Sequence, residues 1–122
     1  MQDKARELAY LVAAAADDKR AKDIRILKVE GITLVTDYFV ICSGNSTTQV
    51  QAIADGIGEK LKEAGQRAGH IEGYREAKWV LLDLGSVVVH IFTDAERDFY
   101  DLERLWGDAE SIGFTPATTV NN

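Results

Sequence analysis

The sequence predicts an α+β fold, a single layered domain in which helices pack on a mixed β-sheet of about five strands. Three observations predict it. Lys78 to Phe92, KWVLLDLGSVVVHIF, joins two apolar runs through Gly85-Ser86, a Gly-X pair suited to the type II′ turn of a tight hairpin. Two other stretches, from Asp3 and from Ser46, repeat apolar residues at helical spacing. The elements follow in the order α-β-β-α-β-β-β-α, with no internal repeat and no composition break that would mark a second domain.

Asp3 to Ala16 reads as a helix through Ala5, Leu8, Ala9, Val12 and Ala16, and Asp17 to Arg20 ends it in a solvated charge cluster. Asp23 to Val29 alternates Ile24, Ile26 and Val29 against Arg25 and Lys28, as a half-buried strand does. Gly31 and its neighbours turn the chain, and Tyr38 to Cys42 is a short, wholly apolar central strand. Ser46, with Gln49 three residues on, has capping-box spacing for a helix whose stripe is Val50, Ile53, Ala54, Ile57, Leu61 and Ala64. Gly65 suits its C′ position. Gln66 to Ile71 reads as a modest strand and Glu72 to Lys78 as a loop delivering the hairpin. Asp94 caps a last helix with Phe99, Leu102 and Trp106 on one side, ending near Gly107. The domain is therefore expected to span 1–107, followed by a mobile tail at 108–122.

The hairpin carries the most information. A two-residue turn pairs Asp83 with Val88, Leu82 with Val89, Leu81 with His90 and Trp79 with Phe92. Strand alternation then sorts the side chains into two faces. Val80, Leu82, Leu84, Val87, Val89 and Ile91 form an aliphatic core face. Trp79, Leu81, Asp83, Val88, His90 and Phe92 mix aromatics with an acid and an imidazole. Two readings of this second face stand: a sheet surface covered by another element with its polar groups satisfied inside, or a docking face for a partner.

Hydrophobic residues at 46% and charged residues at 28% are those of an ordinary globular protein. No apolar run approaches the ~20 residues that span a bilayer. The N-terminus MQDKARELAY has neither a signal-peptide core nor transit character, and one cysteine, Cys42, points to a reducing compartment; a cytoplasmic location is expected. The net charge of −6, with Lys and Arg scattered, is poorly suited to neutralising phosphates, so no direct DNA binding and little direct RNA binding are expected. A basic protein surface is the natural electrostatic partner.

The residues bear on several chemistries. The Ser43-Thr48 loop, SGNSTT, opens a helix and offers anion-binding geometry, but without a Walker lysine or a G-x-G-x-x-G pattern. Asp83 has Leu81 and Gly85 two residues away, so the strand lacks the D-x-D pair that a metal-dependent nucleotidyl transfer needs. His70, His90 and Cys42 have no zinc-ligand spacing, and Cys42 in an apolar strand reads as an inert thiol. No cofactor, no metal and no enzymatic activity are expected.

The same residues carry a resemblance. WVLLD-x-G-x-VVVHIF, followed by Arg97, Tyr100, Leu102-Glu103 and Leu105-Trp106, resembles the ribosomal silencing factor family, also called Iojap-like. Asp37, Ser43-Gly44-Asn45-Ser46, Gln49, Ala52 to Asp55 and Glu72-Gly73 extend the likeness, in order, from about Lys4 to Trp106. Ser86 stands where the family often has Asp, and Ala77 where Gly is common. The resemblance implies a mixed sheet distantly akin to the nucleotidyltransferase fold. It also implies a translational repressor that docks on the large ribosomal subunit, on the ribosomal protein conventionally numbered fourteen, and sterically blocks association with the small subunit. Family members also act in large-subunit maturation. On this chain the resemblance and the hairpin place the partner-binding patch at Trp79, Leu81, Asp83, His90 and Phe92, flanked by Tyr74, Lys78, Tyr100 and Glu103. Trp79 and Phe92 would be the desolvated anchors, with Asp83 and Glu103 meeting basic groups. Tyr100, Leu102 and Trp106 have the alternative role of pinning the last helix to the sheet. Homodimerisation is left open. The alternative function is a nucleotide-binding enzyme using the Ser43-Thr48 loop.

Overall fold

Local signals in the chain set the ends of each element. In the computed structural model, which describes residues 3–67 and 69–117, Asp3 caps helix α1 (Lys4–Asp18), its carboxylate accepting from the Arg6 N–H at 2.9 Å. The other carboxylate oxygen of Asp3 accepts from the Tyr38 hydroxyl at 2.6 Å, tying the helix to the sheet. Strand β1 (Lys22–Lys28) and strand β2 (Tyr38–Gly44) run antiparallel, with every residue of β2 buried. Ser46 caps α2 (Thr47–Glu63), accepting from the Gln49 N–H at 3.1 Å, while the Gln49 side chain accepts from the Asn45 N–H at 2.6 Å. Gly65, at φ +73°, closes that helix: the Gln66 N–H donates to Leu61 C=O and the Gly65 N–H to Lys62 C=O, a Schellman pair.

Strand β3 (His70–Glu72) is shorter than the Gln66 to Ile71 strand expected, and residue 68 lies outside the described residues. Gly69 and Gly73 flank it, and a Cβ at either would collide with the carbonyl oxygen of Asp83 or Trp79. Strands β4 (Trp79–Asp83) and β5 (Val87–Thr93) form the hairpin in the expected register, from Trp79 opposite Phe92 to Asp83 opposite Val88. Gly85 takes φ +87° in the turn, as the first central residue of a type II′ turn requires.

The strands make a six-stranded mixed sheet, β3-β4-β5-β2-β1-β6, in which only β2 and β5 run parallel. Helices α1 and α2 cover one face, burying Val80, Leu82, Val87, Val89 and Ile91 with Ile26, Val40, Val50, Ile53 and Ile57. The aliphatic hairpin face is thus the core face, as its pattern predicts. A smaller cluster of Leu27, Val29, Phe39, Ile41, Val88 and Phe92 occupies the other face.

Four expectations need correction. The last helix is two short ones, α3 (Asp94–Tyr100) and α4 (Leu102–Leu105), because Asp101 adopts the left-handed conformation at φ 48° and breaks the ladder. Asp94 does not cap α3; Thr93 occupies the N-cap position and makes no side-chain cap bond. The boundary at 107 also moves. Strand β6 (Glu110–Ile112) pairs with β1 and supplies the sixth strand, and the Ala117 N–H donates to Asp17 at 2.9 Å. Asp17 is accordingly buried rather than solvated. Residues 118–122 of the expected tail lie outside the described residues.

Candidate docking face

Alternation along β4 and β5 places Trp79, Leu81, Val88, His90 and Phe92 on the sheet face away from α1 and α2. Their rings pack on one another. Trp79 lies with its ring centroid 5.0 Å from Phe92 and 4.6 Å from Tyr100, and Phe39 meets His90 edge-on at 5.0 Å. The Trp79 indole N–H donates to Nδ1 of His90 at 3.1 Å. That bond leaves the imidazole proton on Nε2, and Nε2 is buried with no hydrogen-bond partner among the described residues. Burial lowers the His90 pKa to about 4, so the ring is neutral at pH 7.

The expected patch is therefore partly open and partly closed. Trp79 and Leu81 are half-buried, and Lys78, Asp83 and Tyr100 are exposed. Asp83 uses one carboxylate oxygen to accept from the Gly85 N–H at 2.9 Å, so it also braces the turn. Phe92 is 1% exposed and His90 6%, covered within the chain rather than waiting for a partner. They act on the face from beneath, holding Trp79.

Two flanking residues point elsewhere. Tyr74 turns to the helix layer: its hydroxyl donates to Asp55 at 3.2 Å and its carbonyl accepts from Gln51 at 3.0 Å. The Asp55 carboxylate raises the Tyr74 pKa, since ionising the phenol would break that bond. Glu103 pairs with Arg97 at 2.7 Å and Arg25 at 3.9 Å, so its charge is already matched. Tyr100 packs on Trp79, while Leu102 and Trp106 join the second cluster. The pinning role expected as an alternative therefore belongs to Leu102 and Trp106, and Tyr100 combines it with an exposed edge.

Several exposed apolar side chains lie outside the expected patch. Phe99 is 78% exposed and Leu105 73%, on opposite sides of the Asp101 break. Leu34 and Val35 project fully from the β1–β2 loop. That loop is fastened to the hairpin turn, with the Thr36 hydroxyl donating to Gly85 C=O at 3.0 Å and the Asp37 and Tyr38 N–H groups donating to Ser86 C=O. The open sheet face thus has the α3–α4 strap at the Trp79 end and an apolar loop at the turn end. The run Ile32 to Val35 was the available signal for the loop; Phe99, which one continuous helix would set on the same side as Leu102 and Trp106, lies in α3 before the break at Asp101 and is exposed.

The alternative chemistry finds little to work with. Ser46, Gln49 and Asn45 of the Ser43-Thr48 loop are engaged in capping, and Ser43 is buried, accepting from Arg97 at 3.3 Å. A polar cleft of about 520 Å³ opens beyond Ser43, but its bases Lys22, Arg25 and Arg97 face the carboxylates Asp94 and Glu103. Among the described residues no cluster of three His, Cys, Asp or Glu is placed to hold a metal. Burial pushes the Cys42 thiol up to about 12, far from a thiolate nucleophile. Among the described residues no helix is long and apolar enough to cross a membrane.

Comparison with known proteins agrees with this architecture. Residues 2–122 match the family described as "Ribosomal silencing factor during starvation". The ribosomal silencing factor RsfS of Bacillus subtilis is 56% identical over 104 residues, 85% of this chain and 88% of the relative. The mouse protein named "Mitochondrial assembly of ribosomal large subunit protein 1" is 35% identical over 91 residues, 72% of this chain and 40% of its own length. A solved structure from Chromobacterium violaceum superposes with a TM-score of 0.83 at 37% identity, covering 96% of this chain and 97% of that one. The chain belongs to the ribosomal silencing factor family.

Proposed function

We propose that this protein is a translational repressor that docks on the large ribosomal subunit through the open hairpin face and sterically blocks association with the small subunit. It acts by occupying space and needs no bond chemistry. The observation that carries the reading is the half-exposed Trp79, fixed from beneath by His90 and Phe92 and flanked by exposed Tyr100 and Asp83. A rigid aromatic with an acid beside it suits a basic protein surface with an apolar spot. The net charge of −6 favours such a surface and disfavours direct contact with RNA phosphates. Family membership supports a ribosomal target, the mouse relative's name supports the large subunit, and the resemblance names the large-subunit protein numbered fourteen as the contact. A part in large-subunit maturation is compatible with the same contact.

The test is sedimentation with purified subunits, followed by a reassociation assay. The protein is expected to travel with large subunits and not with small ones, and to lower the yield of joined particles as its concentration rises. Binding to small subunits alone, or undiminished joining at saturation, would sink the proposal.

A further inference from the structure

Negative charge is concentrated on one part of the chain. Between Asp94 and Glu110 there are seven acids against two bases, which is five of the six net negative charges. Arg97, one of the two bases, is buried in its 2.7 Å ion pair with Glu103, leaving only Arg104 toward solvent. The same stretch builds an apolar recess. Leu105, Trp106 and Ala109 close with Ile32 around a volume of about 260 Å³, with Asp108 in its wall. Its walls are held by the fold: Trp106 packs edge-on against Phe39 at 5.2 Å, and the Ala109 N–H donates to Trp106 C=O at 2.9 Å.

We propose that this recess takes an arginine or lysine side chain presented by a basic polypeptide segment of the partner, a second contact beside the Trp79 hairpin. Long basic side chains bury an aliphatic stem while the charged head stays polar, which matches Ile32, Leu105 and Ala109 for the stem and Asp108 for the head. The Trp106 ring offers a face on which a guanidinium can also rest. The occupant's class follows from these walls and from the surrounding field. A purely apolar side chain would desolvate the Asp108 carboxylate without compensation. A nucleic acid would bring phosphates toward the most acidic stretch of the chain.

The inference rests on the large-subunit reading for its partner, but the recess is testable by itself. Asp108→Lys reverses the charge in the wall, and Ile32→Arg fills the recess with a cation from its own rim. Both residues are exposed, so the fold should survive, with melting temperatures near the parent's. The probes are purified large subunits in a pull-down and a labelled oligoarginine peptide followed by fluorescence anisotropy. Both variants are expected to lose about tenfold or more in affinity for each probe. Trp79→Ala should weaken subunit binding and leave peptide binding intact. Unchanged binding of both probes by the two recess variants, with Trp79→Ala still weakened on subunits, would overturn the recess and leave the docking reading standing. A parent that takes the peptide through the recess but ignores large subunits would do the reverse. A bare ribosomal RNA fragment bound more tightly than the peptide would overturn the choice of occupant.

Discussion

Replacing Trp79 with alanine tests the docking reading most directly, and the structure makes the outcome more specific than a simple loss. The indole makes one hydrogen bond, to His90 Nδ1 at 3.1 Å, and ring contacts with Phe92 and Tyr100. Truncation would leave a second imidazole nitrogen unpaired in a side chain that is 6% exposed, a cost of about 1–3 kcal/mol for a buried polar group. It would also uncover Phe92. A loss of about 2 kcal/mol corresponds to a fall in Tm of roughly 8 °C for a domain of this size, while a total stability of about 5–15 kcal/mol keeps the protein folded at room temperature. Affinity for large subunits should drop by about 2 kcal/mol or more, roughly thirtyfold. Trp79→Phe helps separate the two effects, because it keeps an aromatic ring on the face while removing the N–H donor and part of the indole's area. It should melt lower than the parent but retain more binding than the alanine variant. Circular dichroism melts report the fold, and titration of labelled protein with large subunits reports the affinity. A folded Trp79→Ala variant that binds and blocks joining like the parent would refute the assignment of this face.

Val89→Asp places a carboxylate at a fully buried position under α1 and α2, where an unpaired charge costs several kcal/mol or more; the variant should fail to fold or melt far below the parent in thermal denaturation. His90 titrates near 4 when folded and near 6.5 when free, so the unfolded chain binds the extra proton between those values. Its contribution is complete above pH 6.5 and is lost as pH falls toward 4, by up to about 3 kcal/mol, and His90→Gln should flatten the stability–pH profile over that range. Asp83→Asn keeps an acceptor for the Gly85 N–H and removes the charge, so its Tm should stay within about 2 °C of the parent while association slows and becomes less sensitive to salt in stopped-flow measurements. Asp83→Lys adds repulsion from a basic partner and should bind more weakly than Asp83→Asn.

The parts of the fold that were legible in the sequence are those fixed by local chemistry. Gly85-Ser86 set the hairpin register to the residue, because a two-residue turn admits one pairing and the alternation then decides both faces. Ser46, Gln49 and Gly65 marked the ends of α2 by the hydrogen bonds they make there. What was missed depends on contacts distant in the chain. Glu110 to Ile112 carries no apolar alternation of its own and is a strand because the edge of β1 offers it partners. Asp17, in a charge cluster, is buried because Ala117, a hundred positions on, donates to it.

The candidate site was harder to read than the fold, and the reason is physical. Alternation tells which side of a sheet a residue takes, but not how much of that side its neighbours cover. Phe92 and Trp79 share a face and a cross-strand pair, yet one is sealed and the other half-open, since the covering element arrives only after Asp94. The course of that element turns on Asp101. A continuous helix would carry Phe99 toward the sheet with Leu102 and Trp106. The left-handed residue redirects the axis, so Leu102 and Trp106 reach the second cluster while Phe99 and Leu105 face outward. Arg97 then fastens the break, donating to Lys22 C=O and Ser43 at 3.3 Å and to Glu103 at 2.7 Å. With its main cation drawn inward, the strap presents acids and apolar side chains together. The exposed edge of the strap and the recess at Leu105, Trp106 and Ala109 therefore both follow from the break at Asp101, which the buried Arg97 fastens, while the proposed docking face beside them is set by strand alternation in the hairpin.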